Sequence, residues 1–119
     1  MSELFHIMVI SKHTKIDTLF DNGSQDNLIS KYSVKNIGLE TKPHPKPYLL
    51  GWVCENAKFQ VTKKCRLKFS ITYVFMDEVN LDVVLLDVFG IVLGSPYLHG
   101  RKAIFYREEN NYHFFKDGA

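Results

Sequence analysis

The segment TLFDNGSQDNLIS, residues 18–30, holds one carboxylate in a place where it could do chemistry. A short apolar run leads into Asp21, and Asn22-Gly23 follows as a strong turn dipeptide, because both residues tolerate positive φ. A plain hairpin would continue into an alternating strand, whereas this chain continues into a helix-like pattern with Ser24 as cap. The pattern predicts an Asp21 exposed at the end of a strand, either as an ordinary turn residue or as a reactive group.

A second segment, GIVLGSPYL at 90–98, has a glycine where a strand ends. Val92 and Leu93 are bulky and apolar, and Gly94 marks a position where another backbone can approach closely. Taken alone this pattern is weak, because two apolar residues before a glycine are common in sheets.

The elements that would position these residues are mostly strands. The sequence predicts helices over 24–38, with Gly38 as stop, and over 95–100, with Ser95 as cap and Pro96 at the first helical position. The proline stretch 42–48 is typical of an extended loop. Apolar or alternating runs predict strands over 5–10, 16–20, 66–75, 81–86, 90–94, 102–106 and 112–115. One medium and one very short helix among strands spaced by about ten residues indicate an all-β barrel or sandwich.

Composition narrows the class further. The chain has 119 residues, a hydrophobic content of 45% and a net charge of +2, which favour one folded domain (1–119) over disorder and give no global signal for nucleic acid or membrane. Cys54 and Cys65 lie eleven residues apart, which is wrong for a zinc site, so we expect reduced thiols, no metal and no cofactor. The absence of a signal-peptide pattern and of a long apolar run leads us to expect a cytoplasmic protein.

Taken in order, three stretches resemble the retropepsin-like aspartic protease domain of plant long-terminal-repeat (Ty3/gypsy-type) retrotransposon polyproteins. The first, 18–30, resembles the family's apolar-apolar-Asp-Ser/Thr-Gly signature. The second, 50–65, is similar to its flap hairpin, and the third, 83–98, to its apolar-apolar-Gly strand followed by Pro-aromatic-Leu. The resemblance covers about residues 5–106 and implies a small closed β-barrel that is one half of a dimeric protease.

The resemblance also implies a mechanism. Asp21 would be the catalytic carboxylate, and since the chain has one such motif, a second copy in a homodimer would supply the other. The pair would share one proton and activate a water against a bond of a polypeptide substrate. Asn22, Gly23 and Ser24 would form the active-site loop. The flap over the substrate would carry Trp52, Val53, Glu55, Asn56 and Ala57.

One residue departs from the family pattern, and it leaves two other functions open. Asn22 stands where the family has a Ser or Thr hydroxyl that hydrogen-bonds across the dimer. The chain could therefore be an inactive dimerisation or binding module. A less favoured hypothesis is a single-stranded nucleic-acid binder that uses basic and aromatic side chains at Trp52, Lys58, Phe59, Lys63, Lys64, Arg66 and Lys68. Alternating basic residues on the wet face of a strand are also ordinary solvation.

Overall fold

A computed structural model describes residues 5–52, 57–71, 75–85, 90–101, 104–106 and 111–113 of the chain. These residues form β1 Phe5–Ser11, β2 Thr14–Phe20, β3 Leu28–Ser30, α1 Lys31–Ile37, β4 Lys42–Trp52, β5 Ala57–Ser70, β6 Met76–Val84, β7 Ile91–Leu93, α2 Ser95–Gly100, β8 Ile104–Tyr106 and β9 Asn111–His113. The fold class predicted from the sequence, a small β-barrel with two helices, is confirmed. The helix predicted to be of medium length has only seven residues.

Six strands close into a barrel. Their hydrogen-bonded order is β1-β2-β7-β3-β6-β5, and β5 returns to β1 through the pairing of Ile10 with Ser70. β5 is fourteen residues long, so its first half also pairs with β4, which lies outside the ring. β8 and β9 form a separate antiparallel pair.

Local sequence patterns explain several of these strands. β1 and β2 form an antiparallel hairpin whose two turn residues, Lys12 and His13, have φ of 49° and 64°. Positive φ at both turn positions matches the natural twist of a hairpin. In β5, Leu67 and Phe69 are buried while Arg66 and Lys68 are exposed, which is the alternation that the sequence predicts.

The helix predicted over 24–38 is wrong in its first half. Residues 28–30 form β3, which pairs with β6 and β7, and α1 begins only at Lys31. The cap is Ser30, whose Oγ accepts the Ser33 N–H at 3.1 Å, and not Ser24. Gly38 ends the helix as predicted, with φ of 68°.

Other boundaries also differ from the prediction. The strand predicted over 81–86 is β6, which already begins at Met76 and ends at Val84. The proline stretch 42–48 belongs to β4, with an irregularity between Pro43 and Tyr48, because prolines are tolerated at a sheet edge. The strand predicted over 66–75 ends at Ser70. The cap of α2 is Gly94 and not Ser95, and Pro96 lies in the first turn of that helix.

The interior has two apolar clusters. The larger one fills the barrel and includes Val9, Ile29, Leu67, Leu81 and Leu98, each at most 1% exposed. The smaller one lies next to the strand ends that carry Asp21 and Gly94, and comprises Leu19, Leu28, Val61, Val84 and Val92.

Two further expectations concern the cysteines, expected to be reduced, and the absence of a membrane-spanning segment. Cys65 is a buried free thiol, and burial together with the charge of Asp82 raises its pKa to about 11. Cys54 lies outside the described residues. Among the described helices, none has the length and apolar character needed to cross a membrane.

Candidate active site

Asp21 and Gly94 are neighbours because of the barrel topology. β2 and β7 run parallel, with Phe20 opposite Leu93, so both strands end at the same edge of the sheet. Asp21 continues the ladder, since its backbone N–H donates to the Leu93 carbonyl at 3.1 Å. The side chain of Asp21 is partly exposed at this edge.

The residues after Asp21 form a tight turn around its carboxylate. The Ser24 N–H donates to the Asp21 carbonyl at 3.1 Å and closes the turn. The Gly23 N–H donates to Asp21 Oδ1 at 2.9 Å, and a Cβ at position 23 would lie 3.2 Å from that oxygen. Asn22 is exposed at the tip. Within the described ranges no side chain donates a hydrogen bond to the Asp21 carboxylate, which is partly exposed.

Gly94 fixes this loop against the end of β7. A Cβ at position 94 would lie 2.5 Å from the Asp26 carbonyl oxygen and 2.7 Å from that of Ser24. The contact is reinforced because the Ser95 N–H donates to the Ser24 carbonyl at 2.8 Å. The close backbone approach inferred from the sequence is therefore present at Gly94.

Sequence reasoning missed one residue of this junction. Asn27 Oδ1 accepts the Gly94 N–H at 2.9 Å, and the Asn27 carbonyl accepts the Asp82 N–H at 2.9 Å. Asn27 thus ties the loop to both β7 and β6. Its partner at Gly94 lies 67 positions away, so no local pattern could have indicated the bond.

The predicted flap corresponds to the end of the β4–β5 hairpin. Trp52 pairs with Ala57 and Leu50 with Phe59, so the two arms form an antiparallel hairpin. Val53, Glu55 and Asn56 lie outside the described residues. Leu50 and Tyr48 pack against the smaller apolar cluster, which connects this hairpin with the strands beneath Asp21.

A second polar group, also missed from the sequence, lies where β4 meets β6. Tyr48 Oη donates to Asp82 Oδ2 at 2.5 Å, and His44 Nε2 lies 3.2 Å from Asp82 Oδ1. Burial and the hydrogen bond to Asp82 raise the pKa of Tyr48. Burial and the charge of Asp82 also raise the pKa of Asp26, which lies in the Asp21 loop.

The basic residues of β5 give little support to a nucleic-acid site. Arg66 Nε lies 2.5 Å from Glu78 Oε2, and Lys68 Nζ lies 3.8 Å from Glu78 Oε1. These two cations therefore share one carboxylate of the adjacent strand, which offsets part of their charge. The side chains of Trp52, Lys58 and Phe59, which would supply stacking, lie outside the described part of the structure.

The closed barrel matches the fold of retropepsin-like aspartic proteases. The protease-like domain of Ddi1 from Leishmania major superposes with a TM-score of 0.70, at 8% identity, over 95% of this chain and 88% of that one. EIAV protease, solved with the inhibitor HBY-793, superposes with a TM-score of 0.67 at 11% sequence identity, over 89% of this chain and 95% of that one. A retropepsin-like aspartic protease from Rickettsia conorii superposes with a TM-score of 0.56 at 22% sequence identity, over 81% of this chain and 78% of that one.

These likenesses concern the fold, since all three identities are low. Scans against protein-family models and against curated protein sequences found no match. The retropepsin-like fold predicted from the sequence is therefore confirmed, while the chemistry has to be argued from the site.

The site can offer a solvent-facing carboxylate held by backbone. Groups of three or more potential metal ligands do not occur among the described residues. A carboxylate in this setting can accept a proton from water or, when protonated, donate a hydrogen bond to a carbonyl oxygen.

Proposed function

We propose that this chain is one subunit of a homodimeric aspartic endopeptidase, in which the Asp21 residues of two copies face each other across a twofold axis. The observation that supports it best is the exposed Asp21 carboxylate, held by the Gly23 amide at 2.9 Å at the edge where β2 and β7 end. One copy carries one such carboxylate, so a pair requires two copies.

The reaction follows from a pair of carboxylates that share one proton. The charged member accepts a proton from water, whose oxygen attacks the peptide carbonyl carbon. The protonated member gives its proton to the carbonyl oxygen, which becomes a hydroxyl of the tetrahedral intermediate. The member that took the proton from water then transfers it to the amide nitrogen as the C–N bond breaks, and the other member takes a proton back from a hydroxyl of the intermediate. An amine and a carboxylic acid leave, and the pair again shares one proton. The reaction needs no cofactor.

The other residues of the site have supporting roles in this proposal. Gly23 lets its amide approach the carboxylate, and Gly94 lets the loop of Ser24 lie against α2. The end of the β4–β5 hairpin, with Trp52, Val53, Glu55, Asn56 and Ala57, closes over the substrate and excludes water. Processing of a retrotransposon polyprotein is the substrate class that the sequence resemblance suggests.

The decisive experiment is cleavage of an unstructured protein across about pH 4 to 7, the range of a shared-proton carboxylate pair. Asp21→Asn should reduce the rate by at least about a thousandfold, because it removes both the base and the acid. Asp17→Asn is the matched control, since Asp17 lies four residues earlier in β2 with its side chain 51% exposed. Sedimentation at high micromolar concentration should show a dimer.

Asn22 separates the protease from the inactive-module hypothesis. Asn offers a donor and an acceptor on a longer, planar group than the hydroxyl of Ser or Thr. Asn22→Ser should increase turnover if the longer group holds the two carboxylates in a poor geometry. A folded dimer without cleavage, in both the wild type and Asn22→Ser, would favour a binding or assembly module. A strict monomer would contradict both.

A further inference from the structure

A groove separate from the Asp21 loop lies between α1 and the strands β5 and β6. Its volume is about 490 Å³. The apolar part of its wall is formed by Val34, Leu39, Val83 and Val84, of which Val34 and Val84 are buried. Leu85, at the end of β6, is 66% exposed and also lines the groove. The volume falls in the range of ligand-binding clefts, roughly 300–1,000 Å³.

Every charged side chain among the described residues that line the groove is a lysine. These are Lys31 and Lys35 on α1 and Lys63 on β5, and all three are exposed. Within the described residues none of these lysines forms an ion pair. This differs from the exposed face of β5, where Glu78 pairs with both neighbouring cations.

Two acids among the described residues lie close to the groove in sequence. Glu40 is exposed and adjoins lining residues, but it does not itself line the groove. Asp82 adjoins Val83, but its carboxylate oxygens contact Tyr48 and His44. In the part of the chain that the structure describes, an apolar surface therefore lies beside three lysines that form no ion pair with a described residue.

We propose that this groove binds an acidic, aliphatic peptide segment of a partner protein. Aliphatic side chains of the segment would lie against Val34, Leu39 and Val83, and flanking Asp or Glu carboxylates would approach the three lysines. Such a segment would cover the apolar wall with its aliphatic side chains and would pair its carboxylates with the lysines. A purely acidic or a purely apolar ligand would do only one of these.

A second copy of this chain fits the groove less well. A twofold-symmetric contact through this surface would bring the same three lysines of each copy together, and like charges at an interface oppose association. The chain also has a net charge of +2, so a non-symmetric contact gains nothing from overall charge.

The test uses fluorescein-labelled twelve-residue peptides in which Leu or Val alternates with Asp or Glu at several spacings. A matched set replaces every acid by Lys. Binding is measured by fluorescence anisotropy in the Asp21→Asn background, so that cleavage of the peptide does not affect the signal. This inference does not depend on the proposed protease activity.

Charge reversal locates the binding surface. Lys35→Glu with Lys63→Glu should weaken binding of the best acidic peptide at least about tenfold, because two attractions become repulsions. The control pair is Lys15→Glu with Lys46→Glu, since both residues are exposed outside the groove and the change in net charge is the same. The control should change the affinity less than about threefold, and raising the salt concentration should weaken wild-type binding.

Three outcomes would overturn the proposal. They are no binding by any acidic peptide at millimolar concentration, equal binding of the acidic and lysine sets, and equal losses in the two charge-reversed proteins. Self-association that the Lys35/Lys63 variant abolishes and the Lys15/Lys46 variant retains would assign the groove to a second copy instead.

Discussion

Two carboxylates of this barrel, Asp21 and Asp77, have opposite surroundings. Asp77 is 4% exposed, and among the described residues its carboxylate accepts a hydrogen bond from Tyr97 Oη at 2.8 Å, two from Arg101 at 2.6 Å and one from the Glu78 N–H at 2.8 Å. Asp21 is partly exposed and accepts the Gly23 N–H, with no side-chain donor in the described part of the chain.

The difference separates a structural carboxylate from one that is free to react. Burial raises the pKa of Asp77, but the hydrogen bonds from Arg101, Tyr97 and the Glu78 backbone outweigh it and hold that pKa below its usual value. A carboxylate with every lone pair occupied has no room for water or substrate. The Asp21 carboxylate has acceptor positions left for water or substrate among the described contacts. The backbone N–H of Gly23 fixes its position and occupies only one oxygen.

The largest effect on stability is expected at Asp77. Asp77→Asn should lower the free energy of unfolding by about 3 kcal/mol, because it leaves the Arg101 guanidinium against a neutral partner in a buried site. Denaturant unfolding at fixed protein concentration measures the change. Asp17→Asn, on the exposed face of β2, should change it by less than about 0.5 kcal/mol. Equal losses in the two variants would contradict the structural role of Asp77.

The same carboxylate gives a pH dependence of known sign. The folded pKa of Asp77 is lowered, so its stabilising contribution is present above the unfolded pKa, about 3.9, and is lost as the pH falls through the folded value. The difference in thermal midpoint between wild type and Asp77→Asn should therefore be largest near pH 7 and narrow below about pH 4. A difference that grows on acidification would contradict this assignment.

Gly94 tests how tightly the Asp21 loop must be held. Gly94→Ala should cost about 1–3 kcal/mol of stability, because the new Cβ would lie 2.5 Å from the Asp26 carbonyl oxygen. If the chain is a protease, displacement of the loop by about 1 Å should also reduce cleavage about a hundredfold. Gly100→Ala is the matched control, since a Cβ there meets nothing within 4 Å. Equal effects at the two glycines would show that the close approach is unimportant.

The sequence predicted those parts of the fold and site that depend on local patterns. The β1–β2 hairpin, the alternation of Leu67 and Phe69, the turn after Asp21 and the glycine after Leu93 are all encoded within a few consecutive residues. The start of α1 was misplaced because both Ser24 and Ser30 resemble caps. Pairing of residues 28–30 with β6 and β7, which are far away in sequence, decides between them.

The contacts that sequence reasoning missed are all long-range. Arg101 lies 24 positions from Asp77, Asp82 lies 34 from Tyr48, and Gly94 lies 67 from Asn27. A single sequence does not show which distant polar residues meet, so the buried carboxylate network was out of reach. Asp21 could be predicted from the sequence because the turn that follows it is encoded by neighbouring residues.

A substitution at Tyr97 tests the contribution of one hydrogen bond to Asp77. Tyr97→Phe removes the hydroxyl that donates to Asp77 Oδ2 while keeping the ring, which is 5% exposed and packs against Phe69. The expected loss in unfolding free energy is about 1 kcal/mol, the usual net value of one hydrogen bond. Tyr32→Phe on α1, where the side chain is 66% exposed, should change stability by less than about 0.5 kcal/mol. If Tyr97→Phe leaves the stability unchanged, the bonds from Arg101 and from the Glu78 N–H suffice for Asp77.

The smallest effect, and the one of opposite sign, is expected at Asp26. This carboxylate belongs to the Asp21 loop, and burial together with the charge of Asp82 raises its pKa. A raised folded pKa means that its stabilising contribution is present below the unfolded value and is lost as the pH rises through the folded one. Asp26→Asn should therefore stabilise the protein at pH 7, by about 0.5 kcal/mol since the site is partly exposed to solvent.

The pH series distinguishes this effect from a general benefit of removing a charge. The gain from Asp26→Asn should shrink towards pH 4, where the wild-type carboxyl is increasingly neutral, and thermal unfolding at both pH values measures it. Asp17→Asn provides the exposed comparison. If Asp26→Asn lowers the stability at pH 7, the negative charge of Asp26 stabilises the loop. Asp26 would then be a structural carboxylate like Asp77.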